Sequence, residues 1–246
     1  YRHNLQPMTL HRAYALIRVI LFVSAGILAA ACRDDGDDAE HQPTLYDIAE
    51  ISDKTAASTV FTVYRPDASE TAVTLSAPGV SVGDIEVGTS VFLAYIPENG
   101  RPYTSGRISV ERVSTINNSN LKRGTEMSLR GWDEDPVWLQ SLWPAGDKVC
   151  VRLLLPYATE PRRFVLVVDD ATSGNPYPDA YLYHRRNDLQ PNFSRQYYAA
   201  FNLAALWATP GIEGLTIHVA NSNNPTLTTF RLTNPHPQPN ALGAVK

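Results

Sequence analysis

Cysteine is nearly absent from this 246-residue chain, which holds only Cys32 and Cys150. Two cysteines cannot build a disulfide-stapled scaffold, and no C-x-x-C pair offers a zinc or redox centre. Long apolar runs are missing as well. The longest covers residues 19–31, 13 positions, whereas a spanning helix needs roughly 20, and extending it upstream to Ala13 would bury Arg18 in hydrocarbon. A G-x-S-x-G elbow, an H-E-x-x-H pair and a phosphate loop are also lacking, so the chemistries they support leave no sequence signature. Nor is there an excess of positive charge. Lys plus Arg number 21 against 25 Asp plus Glu, a formal charge of −4, which makes the chain a poor partner for nucleic acid.

What is present at the N-terminus has the layout of an export signal. Arg2, Arg12 and Arg18 are the only formal charges before residue 32, and they precede the apolar run, which ends in small residues. The first methionine is Met8, which leaves Tyr1 or Met8 as the expected start. The run closes on Leu28-Ala29-Ala30-Ala31-Cys32, which resembles the lipobox of bacterial lipoproteins, with the leucine four rather than three places before the cysteine. That resemblance implies a signal peptide over residues 1–31 and lipidation of Cys32. The other reading is ordinary cleavage near Ala31, with Cys32 an incidental thiol. With residues 1–31 removed, Lys plus Arg drop to 18 and the formal charge becomes −7.

Asp34, Asp35, Asp37, Asp38 and Glu40 follow at once. They read as a solvated acidic spacer over residues 32–43; the spacing of an EF-hand loop is absent. The pattern also resembles the acidic export signal of surface lipoproteins of Bacteroidetes. The expected address is the outer membrane, lipid-anchored and surface-exposed, with the periplasmic leaflet as the alternative.

The rest reads as all-β. Strand-like runs occupy residues 59–64, 72–75, 90–95 and 107–113, separated by turn signals at 78–79 and 97–101. In 107–113 a period-two alternation slips near Arg112. Strands this short can close as a small barrel, expected over residues 44–117. The polar stretch 117–124 reads as a boundary. Runs at 126–130, 147–155, 163–169, 180–184, 215–220 and 226–232 then suggest an antiparallel β-sandwich over residues 118–233, followed by a flexible proline-rich tail over 234–246. By propensity alone residues 195–207 form an amphipathic helix.

The stretch VGTSVFLAYIPENGRPYTSGRISVERVSTI, with DKVCVRLLL, FVLVVDD, YLYHRRND, YYAAFNL and IHVANSNNPTLTTFRL, resembles the NigD-like lipoproteins of Bacteroidales. The resemblance implies an OB-like barrel followed by a β-sandwich, and a strand rather than a helix over residues 197–203. The family's activity is unassigned, and a bacteriocin-associated accessory or immunity role is what its name implies.

Chemistry-bearing residues are sparse. His3 and His11 fall in the signal, His41 in the spacer and His236 in the tail, leaving His184 and His218 for any preorganised site, where hydrogen-bonded structural roles suffice. Asp169 and Asp170 are adjacent and would point to opposite faces of a strand, so a strand-end turn suits them better than acid/base work. Cys150, in KVCVRLLL, reads as core. No cofactor and no metal site is expected. Trp132, Trp138 and Trp143, interleaved with Asp133, Glu134, Asp135 and Gln140, form the one suggestive segment: aromatic faces beside carboxylates and amides suit a glycan or a protein partner. The other reading has Trp138 and Trp143 plugging the joint between the two domains. The expected function is a non-catalytic envelope lipoprotein, a binding or structural module held to the membrane by its lipid, with an envelope protein or glycan as partner. A surface glycan-binding accessory protein using the Trp132 to Trp143 segment is the alternative, and a hydrolase using His184 or His218 a distant third.

Overall fold

A computed structural model describes residues 42–65, 68–126, 132, 135–157, 162–185 and 193–238. The signal and lipidation expected over residues 1–32, most of the acidic spacer, all but Glu126 of the strand expected over 126–130, and the tail from 239 onward lie outside the described residues; Glu126 itself closes a 3-10 turn. Among the described residues no helix is long and apolar enough to cross a membrane.

The first five strands are β1 (Leu45–Thr55), β2 (Ser58–Arg65), β3 (Ala68–Pro78), β4 (Ser90–Pro97) and β5 (Gly106–Thr115). They close into a barrel in the order β1-β2-β3-β5-β4, with β3 and β5 parallel and the other pairs antiparallel. This Greek-key order is that of an OB-like barrel. Period-two alternation builds its interior: Val91, Leu93 and Tyr95 of β4 point in with Ala49, Ile51, Phe61, Val63 and Leu75, while Phe92 points out. The slip near Arg112 is a bulge. Ala94 pairs with Arg112 and Tyr95 with Val110, leaving Glu111 as the extra residue on β5.

The remaining strands are β6 (Asn117–Asn120), β7 (Lys122–Arg123), β8 (Trp138–Ala145), β9 (Lys148–Pro156), β10 (Arg163–Val168), β11 (Asp179–Arg185), β12 (Ser194–Asn202), β13 (Gly214–His218) and β14 (Thr229–Thr233). They form two sheets, β14-β13-β11-β10-β7 and β6-β12-β9-β8. Leu139, Val151, Leu153, Phe164, Leu166, Phe201, Leu215 and Ile217 fill the space between the sheets, the arrangement of a sandwich core. The sandwich is mixed rather than purely antiparallel. β6 runs parallel to β12, β7 to β10 and β13 to β11, because the chain enters from the barrel on one edge and returns to the opposite sheet by long connections.

Residues 195–207 resolve into two elements. β12 takes the first part, pairing with β9 from Ser194↔Pro156 to Asn202↔Lys148, and a single helical turn, α1 (Ala204–Trp207), takes the last. Strand pairing along nine residues supplies hydrogen bonds and a buried face that outweigh the helix propensity of the alanines.

Candidate functional site: the cleft at the barrel–sandwich joint

The chain passes from barrel to sandwich through Ile116, and the first strand beyond it is the polar NNSN of β6. Successive side chains on a strand point opposite ways, and here they clamp two different neighbours. Asn117 donates to Phe164 O at 3.2 Å and accepts from Phe164 N at 3.2 Å, tying β6 to the facing sheet. Asn118 does the same with Ser90 on the barrel.

An apolar seam completes the joint. Ile48 of β1, Trp143 and Ala145 of β8, Cys150 of β9 and Ala200 of β12 are buried together, with Tyr64, Ile116 and Tyr198 against them. The Trp143 indole N–H donates to Tyr64 O at 3.1 Å. Lys148 pairs with Glu50 at 2.9 Å and also donates to Gly88 O and Ser90 Oγ. The turn between β8 and β9 begins at Gly146 with φ +60°, where a Cβ would stand 2.9 Å from the Tyr64 hydroxyl; both the backbone and the joint require glycine there.

Beside this seam the outer face of the β9-β12 pair leans on the barrel through Phe92, whose ring lies 5.1 Å from Tyr198 and 6.1 Å from Tyr46. Two hollows open around that contact and share Phe92, Gln196 and Tyr198. The smaller, about 370 Å³, runs past Tyr46, Ser141 and Arg152. The larger, about 560 Å³, is walled by Arg112 of β5, Arg162, Arg163 and Arg195 of the sandwich, and the rings of Tyr157, Tyr197 and Tyr198. That volume is of the size usual for small-ligand sites. Among the described residues no carboxylate lines the larger hollow. Arg162 is held by neutral acceptors, donating from Nε and Nη2 to Pro156 O at 3.1 and 2.8 Å, with its guanidinium 5.6 Å from the centre of the Tyr197 ring. Arg112 Nε donates to Ser114 Oγ at 2.9 Å. Among the described residues none of the four arginines is ion-paired. Burial raises the Tyr198 hydroxyl above its ordinary pKa, with the charge of Arg152 pulling the other way, so it stays a neutral donor.

The three tryptophans do not converge. Trp143 is 5 % exposed in the seam, and with its indole N–H committed to Tyr64 it presents no face to a ligand. Trp132 packs on Val165, Val167, Tyr181 and Tyr183, the outer face of the other sheet. Trp138 is 47 % exposed at the start of β8, opposite Leu154. Asp133 and Glu134 lie outside the described residues. A platform built from all three rings is therefore not what the fold assembles, and of the two rings offered as a plug for the joint Trp143 alone sits in it.

The other singled-out residues sit as follows. His218 Nε2 is 2.7 Å from Asp179 Oδ1 and its ring stacks on Tyr181. His184 is buried with Nε2 3.2 Å from Asp135 O. Asp169 and Asp170 accept backbone N–H bonds from Ala171 and Thr125 and so shape the turn after β10. Cys150 is buried, and burial pushes its thiol up to about 12. Among the described residues no group of three or more His, Cys, Asp and Glu is placed to hold a metal. Sequence reasoning missed the arginine cleft, because its walls come from four separate segments; the only local signal is Pro161-Arg162-Arg163-Phe164 beside Tyr157.

No protein-family model matches the chain, and no curated protein matches it in sequence. Solved structures do match its fold. A NigD-like immunity protein from Bacteroides caccae superposes with a TM-score of 0.53 at 18 % identity, over 76 % of this chain and 90 % of that one. A candidate lipoprotein from Bacteroides fragilis gives 0.52 at 11 % identity, over 78 % and 98 %. A protein of unknown function from Bacteroides vulgatus gives 0.53 at 15 % identity, over 83 % and 95 %. At these identities the shared property is the fold.

Proposed function

We propose that this chain is a non-catalytic, NigD-like lipoprotein of the cell envelope that acts as a binding or structural module. The observation that carries the reading is a conjunction. A chain with Leu28-Ala29-Ala30-Ala31-Cys32 at the end of an export-type signal has the two-part fold of a candidate lipoprotein and of a NigD-like immunity protein. Acylation of Cys32 supplies the membrane contact: each buried methylene contributes about 0.8 kcal/mol and a single chain holds only marginally, so several chains on one terminus make a stable anchor. The acidic segment from Asp34 to Glu40 then spaces the folded part from the bilayer and favours the outer face of the outer membrane, with an envelope protein or a glycan as the partner. A bacteriocin-associated accessory or immunity role is the finer form of this reading.

The test is metabolic labelling with a palmitate analogue, comparing wild type with Cys32→Ala, followed by protease treatment of intact cells. Label that depends on Cys32, on a protein that the protease reaches, supports an anchored surface module. Absence of label in the wild type removes the anchor.

A further inference from the structure

We infer that the larger hollow at the barrel–sandwich joint is a binding site for an anionic saccharide, its arginines taking the carboxylate or phosphate groups and its tyrosines stacking on the sugar rings. The inference rests on the binding-module reading and gives it a location and a ligand class. Its first support is charge. In a chain where acids outnumber bases, Arg112, Arg162, Arg163 and Arg195 line one hollow in which, among the described residues, no carboxylate takes part. A concave wall of one sign with apolar sides focuses the field and concentrates a counter-charged ligand.

The second support is that, among the described residues, Arg162 and Arg112 are positioned by neutral partners alone. Arg162 is fixed by the Pro156 carbonyl and the Tyr197 ring, and Arg112 by the Ser114 hydroxyl. All these partners are neutral, so the charges stay available for the planar, two-pronged recognition that arginine makes with carboxylates and phosphates. The third support is aromatic. The rings of Tyr157, Tyr197, Tyr198 and Phe92 line the same hollow, the three tyrosines adding hydroxyl tips and so amphipathic surfaces matched to a sugar ring, which has one apolar face and a polar rim.

The test uses the full-length protein, purified in a detergent without sugar groups, and calorimetric titration with three probes: a uronic-acid tetrasaccharide, a neutral tetrasaccharide of the same linkage, and a hexose phosphate. We expect an acidic probe to bind at least about tenfold tighter than the neutral one, and to weaken as salt rises. Arg112→Gln with Arg195→Gln, both exposed positions, should lose about tenfold or more in affinity with an unchanged melting temperature, whereas Trp138→Ala should bind as wild type does. Binding of the uronate alone identifies a carboxylate ligand, binding of the phosphate alone a phosphorylated one, and either supports the inference. Equal binding of the neutral probe, an unaffected arginine double variant, or no heat from any probe at millimolar concentration overturns it. Cys32 labelling together with no binding would end this inference and leave the anchor standing; binding without labelling would do the reverse.

Discussion

The side-chain amide of Asn118 grips both backbone groups of Ser90, accepting from its N–H at 2.9 Å and donating to its C=O at 2.8 Å. It thus imitates one step of strand pairing between the sandwich and the barrel, at a residue only 2 % exposed. Removing one partner of a buried hydrogen bond costs more than the bond contributes, because the orphaned group stays desolvated. Asn118→Ala should lower stability by about 1–3 kcal/mol. Asn118→Asp, which keeps the acceptor and loses the donor, should fall between that variant and wild type. Urea unfolding of the three proteins checks the order.

Trp143 and Trp138 lie five residues apart and differ in kind. Trp143 fills the seam and donates to Tyr64 O, so Trp143→Ala should cost about 3–5 kcal/mol. Trp143→Phe should lose mainly the indole donor, about 1 kcal/mol. Trp138→Ala, at a half-exposed ring, should stay within about 0.5 kcal/mol. Denaturation midpoints read all three; equal losses at the two positions would contradict the assignment of Trp143 alone to the joint.

The strand runs at 59–64, 90–95 and 107–113, and the slip of phase near Arg112, could be read from the sequence, because β2 and β5 alternate between a more and a less buried face and β4 is apolar nearly throughout. β1 carries no clean sequence signature because Asp47, Glu50 and Asp53 break its apolar pattern: Asp47 points into the barrel to meet Tyr95, and Glu50 points out to meet Lys148. β6 was legible only as a turn. Asparagines are poor strand formers, and these two earn their place through side-chain amides whose partners, Phe164 and Ser90, lie 47 and 28 residues away in the chain. β8 was hidden by tryptophans that invite a functional reading. The arginine cleft is the extreme case, since Arg112 and Arg195 are brought together only by the packing of barrel on sandwich.

Cys150 tests the same packing chemically. Burial is the main cause of its raised thiol pKa, about 12, and a thiol that does not ionise does not attack. In Cys32→Ala protein, a maleimide or an iodoacetamide should leave Cys150 unmodified at mildly alkaline pH and modify it fully in concentrated urea, as read by intact mass. Rapid modification of the native protein would mean that the seam opens on its own.

Asp47 carries the clearest pH signature. Its carboxyl sits inside the barrel, and burial lifts its pKa above the ordinary 3.8, against smaller opposing effects from the Tyr95 hydroxyl and the charge of Arg65. Between the unfolded and the raised folded value, the folded chain therefore holds more protons at this site than the unfolded chain does. Stability from this group is fully present below about 3.8 and is lost as pH rises through the folded value. Asp47→Asn has no such loss, so its stability relative to wild type should climb as pH rises from about 3.8 and level off above the folded pKa; the contributions of other carboxylates cancel in the difference. Tyr95→Phe removes the donor, 2.9 Å from Asp47 Oδ2, that favours the carboxylate form. It should carry the loss of stability on to a higher pH, with the same onset near 3.8, and cost about 1–3 kcal/mol near neutrality, where an ionised Asp47 would stand without its hydrogen bond. Urea unfolding in pH steps from 3 to 8 on the three proteins measures this. A flat difference between wild type and Asp47→Asn across that range would show that Asp47 titrates as an exposed carboxyl does, and that the barrel interior admits water at its mouth.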